Sequence, residues 1–129
     1  MNTKERQHNN KILKRQFTVS TDNLDDNEQL AVCTLLKEIT KLNDTTIVET
    51  MGTLDFEKII SSQCKLNFLA KAQLSDVVEL HSESTVSDNT TIEIKVSVWK
   101  KKGKRSALLA DGYFVYDTED IIARPLSLL

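Results

Sequence analysis

The chain has 129 residues, of which 40% are apolar and 28% charged, with a formal net charge of -2. That suits one domain around one core and excludes a chain disordered throughout. The near-neutral balance excludes a surface that is one large nucleic-acid footprint, and no apolar run approaches the ~18 residues of a membrane-spanning helix.

Residues 1–11 are polar and read as a flexible tail, followed by a single domain over 12–129. The tail has no apolar core of a secretory signal, so the expected location is cytoplasmic. Ile12 to Ser20 reads as a first strand through Leu13, Phe17 and Val19. The run from Thr21 to Gln29 is rich in helix N-cap types, and Asp25 with Glu28, or Asp26 with Gln29, has capping-box spacing. Beyond it Val32, Leu35, Leu36, Ile39 and Leu42 recur at three and four, the stripe of an amphipathic helix. Gly52 is a suitable stop. The weak helix formers Thr45 to Val48 also permit an earlier end near Asn43.

After Gly52 the period changes. Phe56 to Leu69 is rich in strand formers, and Val77 to Val86 alternates with Val78, Leu80, Ser82, Ser84 and Val86 on one face. Asp88-Asn89 marks a turn. Thr91 to Trp99 alternates strictly, with Ile92, Ile94, Val96 and Val98 on the apolar side. Lys102-Gly103-Lys104 is a second turn, and Ser106 to Tyr116 the last long strand, ahead of a tail holding the only proline, Pro125. The order is strand, helix, then a meander of four antiparallel strands: an α+β domain whose one helix covers the apolar face of one sheet.

Cys33 and Cys64 stand apart among apolar neighbours, which predicts small buried thiols in a reduced protein. His8 and His81 are the only histidines, and no His/Cys/Asp cluster has metal-ligand spacing, so neither a thiol nucleophile nor a metal site is expected.

Several segments then resemble one family. Leu66 to Leu80 is similar to the acyl-CoA thioesterase pattern of Phe, then Pro, then Gly-Asp-Val-Val/Leu-Glu-Leu, with Ser75-Asp76 in the Gly-Asp place. Thr90 to Val96 resembles its Thr-Ser-Ile-x-Ile-x-Val strand, Val98-Trp99 precedes a basic turn as there, and Ala110 to Tyr116 looks like its closing strand. The likeness spans roughly residues 20–117 and implies a hotdog fold, an antiparallel sheet wrapped around one long helix. At the helix start the pattern differs. Asn27 falls on the family's asparagine and Glu28-Gln29 on its Gly-Asp, but Val32-Cys33 falls on its Gly-Gly and Thr40 on its acid. A second hotdog branch, Asp-Leu-Asp-x-x-Gly-His-Val-Asn-Asn, matches only at Leu24 and Asp25.

The resemblance implies an acyl-CoA or acyl-carrier thioester as substrate, coenzyme A entering only as part of it, and a homodimer or higher homo-oligomer whose protomers share the cleft. Thioester hydrolysis needs a carboxylate for water and donors for the carbonyl oxygen. The expected catalytic residues are Asp25, Glu28 and Asn27, with substrate held by Gln29, Leu30 and Thr40. The amides near Asn27 to Leu30 are the expected donors. Lys100, Lys101, Lys102, Lys104 and Arg105 are expected to meet the phosphates, a solvated hairpin tip being the plain alternative. Nucleic acid is not expected at this patch, because no aromatic residues interleave with the charges. Glu38 reads as a solvated helix position, Trp99 and Tyr113 as core or interface packing. The runner-up is a hotdog protein that binds acyl-CoA or an acyl carrier, or a partner subunit, without turnover; a dehydratase fits poorly, since His81 falls on a strand beside Glu79 and Glu83.

Overall fold

A computed structural model of the chain describes residues 11–51, 60–87 and 90–117. The expectations for the N-terminal tail, for Gly52, for the start of the second strand at Phe56, for the Asp88-Asn89 turn and for Pro125 lie outside these residues.

The elements are β1 (Lys11–Thr18), a 3-10 turn (Thr21–Asn23), α1 (Val32–Met51), β2 (Ile60–Phe68), β3 (Val77–Ser87), β4 (Thr91–Lys102) and β5 (Arg105–Asp117). The strands form one antiparallel sheet in the order β1-β3-β4-β5-β2. The expected four-strand meander is therefore corrected: β3, β4 and β5 follow one another, but β2 pairs with β5 instead of β3. β1 already occupies the outer edge of β3. The connection from Leu69 to Asp76 spans eight residues, and eight residues reach ~27 Å, against roughly 14 Å for three strand spacings.

That connection is pinned along its length. The amides of Leu69 and Ala70 both donate to Leu109 O, at 2.8 and 3.2 Å. Leu109 stands at the irregularity between Val98 and Trp99, where β5 carries an extra residue. Leu30 N donates to Ala72 O and Ser75 N to Val19 O. Ser75 has φ 74, and Asp76 beside it closes the turn by accepting from Gln73 N at 2.7 Å. The backbone there has the left-handed form that favours glycine.

The alternation read in β3 and β4 sets the core. Val78, Leu80, Ile92, Ile94, Val96 and Val98 are buried beneath Leu35, Ile39, Leu42 and Ile47 of α1. Val32 and Leu36, assigned to the same stripe, lie one face round and remain about 40% exposed. α1 runs the longer of its two expected lengths. Its weak stretch is held by Thr45 and Thr46 donating to the carbonyls of Lys41 and Leu42, and by a polar seam against the sheet. Thr46 meets Ser82 at 2.8 Å, Thr50 meets Ser84 at 3.0 Å, and Asn43 Nδ2 donates to the Tyr116 hydroxyl at 2.9 Å.

Two other expectations change. Glu38 is mostly buried, paired with Arg15 of β1 at 2.7 Å and with Lys41 at 3.7 Å, so it fastens the helix to the sheet. Both cysteines are exposed. α1 packs on β3, β1 and the margin of β4, and among the described residues Cys64, in register with Phe114 on β5, is left exposed. Trp99 and Tyr113 lie on the outer face, half-exposed, donating to Ser97 Oγ and Glu93 Oε1.

Candidate active site at the start of the long helix

Asp25 to Gln29 forms a closed loop ahead of the helix. Leu24 and Leu30 bridge as antiparallel partners, and Asp25 N donates to Gln29 O at 2.7 Å. Asp25 Oδ1 accepts from the amides of Asn27 and Gln29, at 2.8 and 3.1 Å, while Asp25 O accepts from Glu28 N at 3.0 Å. Asp25 thus ties the loop and does not cap α1, whose first turn contains no acid. The expected capping boxes are absent because the helix begins at Val32, three to seven residues beyond the four acids and amides that were to cap it. Glu28 has φ 61, a conformation unfavourable for a side-chain-bearing residue, imposed by the closure around it.

The amides of residues 27–30 are consequently spoken for: three within the loop and Leu30 N by Ala72 O. Leu30 itself is in the core. The donors left at this end are one turn further on. Leu35 N is the first to find an intrahelical-type acceptor, Ala31 O, and the amides of Val32, Cys33 and Thr34 have no acceptor among the described residues. Free amides at a helix start carry roughly half a positive charge.

Asp26, Asn27 and Glu28 are exposed on the rim of an open depression of about 480 Å³, facing Gln73 and Leu74. Gln29 bridges Gln73 beneath them. Beside the helix start, Leu30, Val32, Leu35 and Phe68 line an apolar crevice that is almost filled, about 10 Å³. Val32, Leu36, Phe68, Leu69 and Leu74 leave a half-exposed apolar surface around it. Thr40 is exposed two turns along α1, in line with Val32 and Leu36, and does not approach the loop.

The basic hairpin reaches the same end of the sheet but divides in two. Lys100 is mostly buried, donates to Lys71 O at 3.3 Å and pairs with Asp76 at 3.6 Å; Lys101 pairs with Glu79 at 3.9 Å. Lys102, Lys104 and Arg105 are exposed at the tip, where Gly103 with φ 58 makes the tight turn. Lys100 is therefore a brace joining the hairpin to the Gln73–Asp76 turn, and so to the loop. A larger groove, about 570 Å³, lies on the sheet's outer face around Ser97, Lys95 and Tyr113, with the sheet between it and the helix. At its margin His81 meets Glu79 at 2.9 Å, and this contact, with Lys101 and Lys14, holds the Glu79 carboxyl below the usual carboxylate range.

The sequence missed two features. One is the buried Asn43–Tyr116 and Thr46–Ser82 contacts, whose only sign was polar residues in otherwise apolar positions. The other is the displacement of the free amides to Val32–Thr34, which the cap-rich run before them obscured.

Solved structures share this architecture. An acyl-CoA hydrolase from Staphylococcus aureus, solved with butyryl coenzyme A, coenzyme A and coenzyme A disulfide, superposes with a TM-score of 0.73 at 13% identity over 83% of this chain. This chain spans only 65% of that one. The 4-hydroxybenzoyl CoA thioesterase of a Pseudomonas species gives a TM-score of 0.68 at 10% identity, covering 82% of this chain and 83% of its own. A hexameric broad specificity acyl-coenzyme A thioesterase gives 0.69 at 16%, covering 80% and 76%. No protein-family model and no curated protein matches the sequence. At these identities the likeness is one of fold, and the fold is the hotdog fold.

Proposed function

We propose that the protein hydrolyses an acyl-CoA or related acyl thioester at the start of α1, in a cleft completed by a second copy of the chain. The observation that carries this reading is the uncapped helix start. Three amides, Val32 to Thr34, have no acceptor among the described residues, and the exposed carboxylate Glu28 comes four residues before the first of them, on a fold that other proteins use for acyl-CoA hydrolysis. The thioester carbonyl oxygen gains charge as water adds, and the free amides and helix dipole stabilise it. Glu28 takes the proton from water and returns it to the departing thiolate. Asp25 acts indirectly, holding the loop that presents Glu28, while Asn27 and Gln29 orient the substrate. Lys102, Lys104 and Arg105 meet the phosphates of coenzyme A, and the apolar surface of Val32, Leu36 and Phe68 receives the acyl group and the second protomer. No cofactor or metal enters this chemistry, and its expected setting is the cytoplasm.

A specific observation favours a second reading, binding without turnover. Val32 and Cys33 carry side chains where the resemblance to acyl-CoA thioesterases would place glycines, and Thr40 stands where it would place an acid. Thiol release from short, medium and long acyl-CoAs separates the two. Turnover supports hydrolysis. Coenzyme A esters that raise the melting temperature without any thiol release support a binding protein.

A further inference from the structure

Of the polar contacts between α1 and the inner face of the sheet, two close on themselves. Thr46 donates to Leu42 O and accepts from Ser82, and Thr50 meets Ser84 at 3.0 Å. A third is left open. Asn43 is 1% exposed and its Nδ2 donates to the Tyr116 hydroxyl at 2.9 Å, but its Oδ1 has no partner among the described residues. Tyr116 accepts in that bond, and its own proton has no acceptor among the described residues. One acceptor and one donor thus stand open within a single side-chain contact, where burial makes an unpaired polar group costly. A single hydroxyl group satisfies both, accepting from Tyr116 and donating to Asn43 Oδ1.

The pair lies in line with the helix start. Spacings of four and seven put Val32, Leu36 and Asn43 on one flank of α1. That flank turns towards β5, where Asn43 meets Tyr116, while Glu38 on the other flank holds β1. Asn43 comes about 15 Å along the helix axis from the free amides of Val32 to Thr34. On the sheet, the inner-face positions of β2 and β5 run the same way, from Phe68 past Leu66 and Gly112 to Phe114 and Tyr116. Leu36 and Phe68 are half-exposed at the near end of this lane. Leu66 and Phe114 close over Gly112, where an added Cβ would meet each of them at 2.9 Å. The lane is therefore apolar from the helix start and polar at its far end.

We infer that Asn43 and Tyr116 together read a hydroxyl group on the acyl chain, so that the substrate is a medium-length acyl thioester hydroxylated near its far end. This rests on the acyl-thioester reading and names its substrate class. The thioester carbonyl lies at the helix start, the chain follows the apolar lane, and its hydroxyl enters between Asn43 and the half-exposed Tyr116. A chain ending in a methyl group leaves both polar groups unpaired. A terminal carboxylate is disfavoured, because the negative charge of Asp44 acts on Tyr116.

Two esters test the pair: dodecanoyl-CoA and ω-hydroxydodecanoyl-CoA, each given to the parent chain and to Tyr116→Phe. Thiol release gives kcat/KM, and calorimetry gives Kd whether or not the ester is hydrolysed. The parent is expected to prefer the hydroxylated ester about tenfold or more, because the plain chain leaves two buried groups unpaired. Tyr116→Phe, with folding checked by its melting curve, is expected to bring that ratio towards one. Equal treatment of the two esters by the parent, which needs no variant, overturns the inference, as does a preference that survives Tyr116→Phe; thiol release in either case keeps the hydrolase. Tighter binding of the hydroxylated ester without thiol release keeps the hydroxyl site and overturns hydrolysis. Binding of neither ester overturns both.

Discussion

Thr46 and Ser82 share a hydrogen bond of 2.8 Å with neither residue reached by solvent. The Thr46 hydroxyl proton is taken by Leu42 O at 2.7 Å, so Ser82 is the donor between them. Thr46→Val removes the acceptor and leaves a buried hydroxyl unpaired, a loss of about 1–3 kcal/mol. Thr46→Val with Ser82→Ala removes both partners and is expected to recover much of it. Urea midpoints of the two single variants and the double variant check the coupling; additive losses would contradict it.

Ser75, with φ 74, occupies a backbone conformation that glycine adopts without strain. Ser75→Gly is expected to be neutral or to stabilise by up to about 1 kcal/mol, and Ser75→Val to destabilise by more than that. Thermal melts of the two variants read the difference. A Ser75→Gly melting point well below that of the parent would show that the Ser75 hydroxyl matters more than its backbone.

Burial raises the Tyr116 phenol above its ordinary value of 10.0, with the Asn43 hydrogen bond opposing and the Asp44 charge adding to the shift. A raised value in the folded chain means that the group's contribution is fully present below about pH 10 and is lost as the pH climbs towards and through the folded value. Stability measured from neutral to alkaline pH is expected to fall more steeply in the parent than in Tyr116→Phe above pH 10. Parallel curves would contradict the assignment. Asp44, raised by desolvation, has the same sign at lower pH: its contribution is present below its ordinary 3.8 and lost above it. Asp44→Asn is accordingly expected to gain on the parent as the pH rises out of the acid range.

The lysines of the β4–β5 hairpin divide by partner. Lys100→Ala removes the brace to Asp76 and Lys71 and is expected to lower the melting temperature. Lys102→Glu with Lys104→Glu removes no pairing seen among the described residues and is expected to raise KM for acyl-CoA severalfold, with kcat and the melting temperature nearly unchanged. Equal effects of the two variants on KM would contradict the division.

Strict alternation in β3 and β4 made their inner and outer faces legible, because a half-buried antiparallel strand admits one register. The three-four spacing likewise located α1. The place of β2 was not legible: strand patterning reports which faces are buried, and it carries no record of which edge a strand joins. The candidate site was half legible. Asp25 to Gln29 was read as capping the helix, which in fact begins later, at Val32, because N-cap residues and turn residues are the same chemical types. Asp25 spends its carboxylate on a loop, and the free amides fall on Val32, Cys33 and Thr34, whose side chains give no hint of it.

The most direct test of the proposed chemistry is the rate of thiol release from an acyl-CoA that the parent turns over, compared between the parent and Glu28→Gln, with folding checked by melting temperature. If Glu28 activates water at the helix start, kcat falls by about 10²–10⁴ while the melting temperature holds. An unchanged kcat in a folded Glu28→Gln protein would contradict the account and remove Glu28 from the reaction.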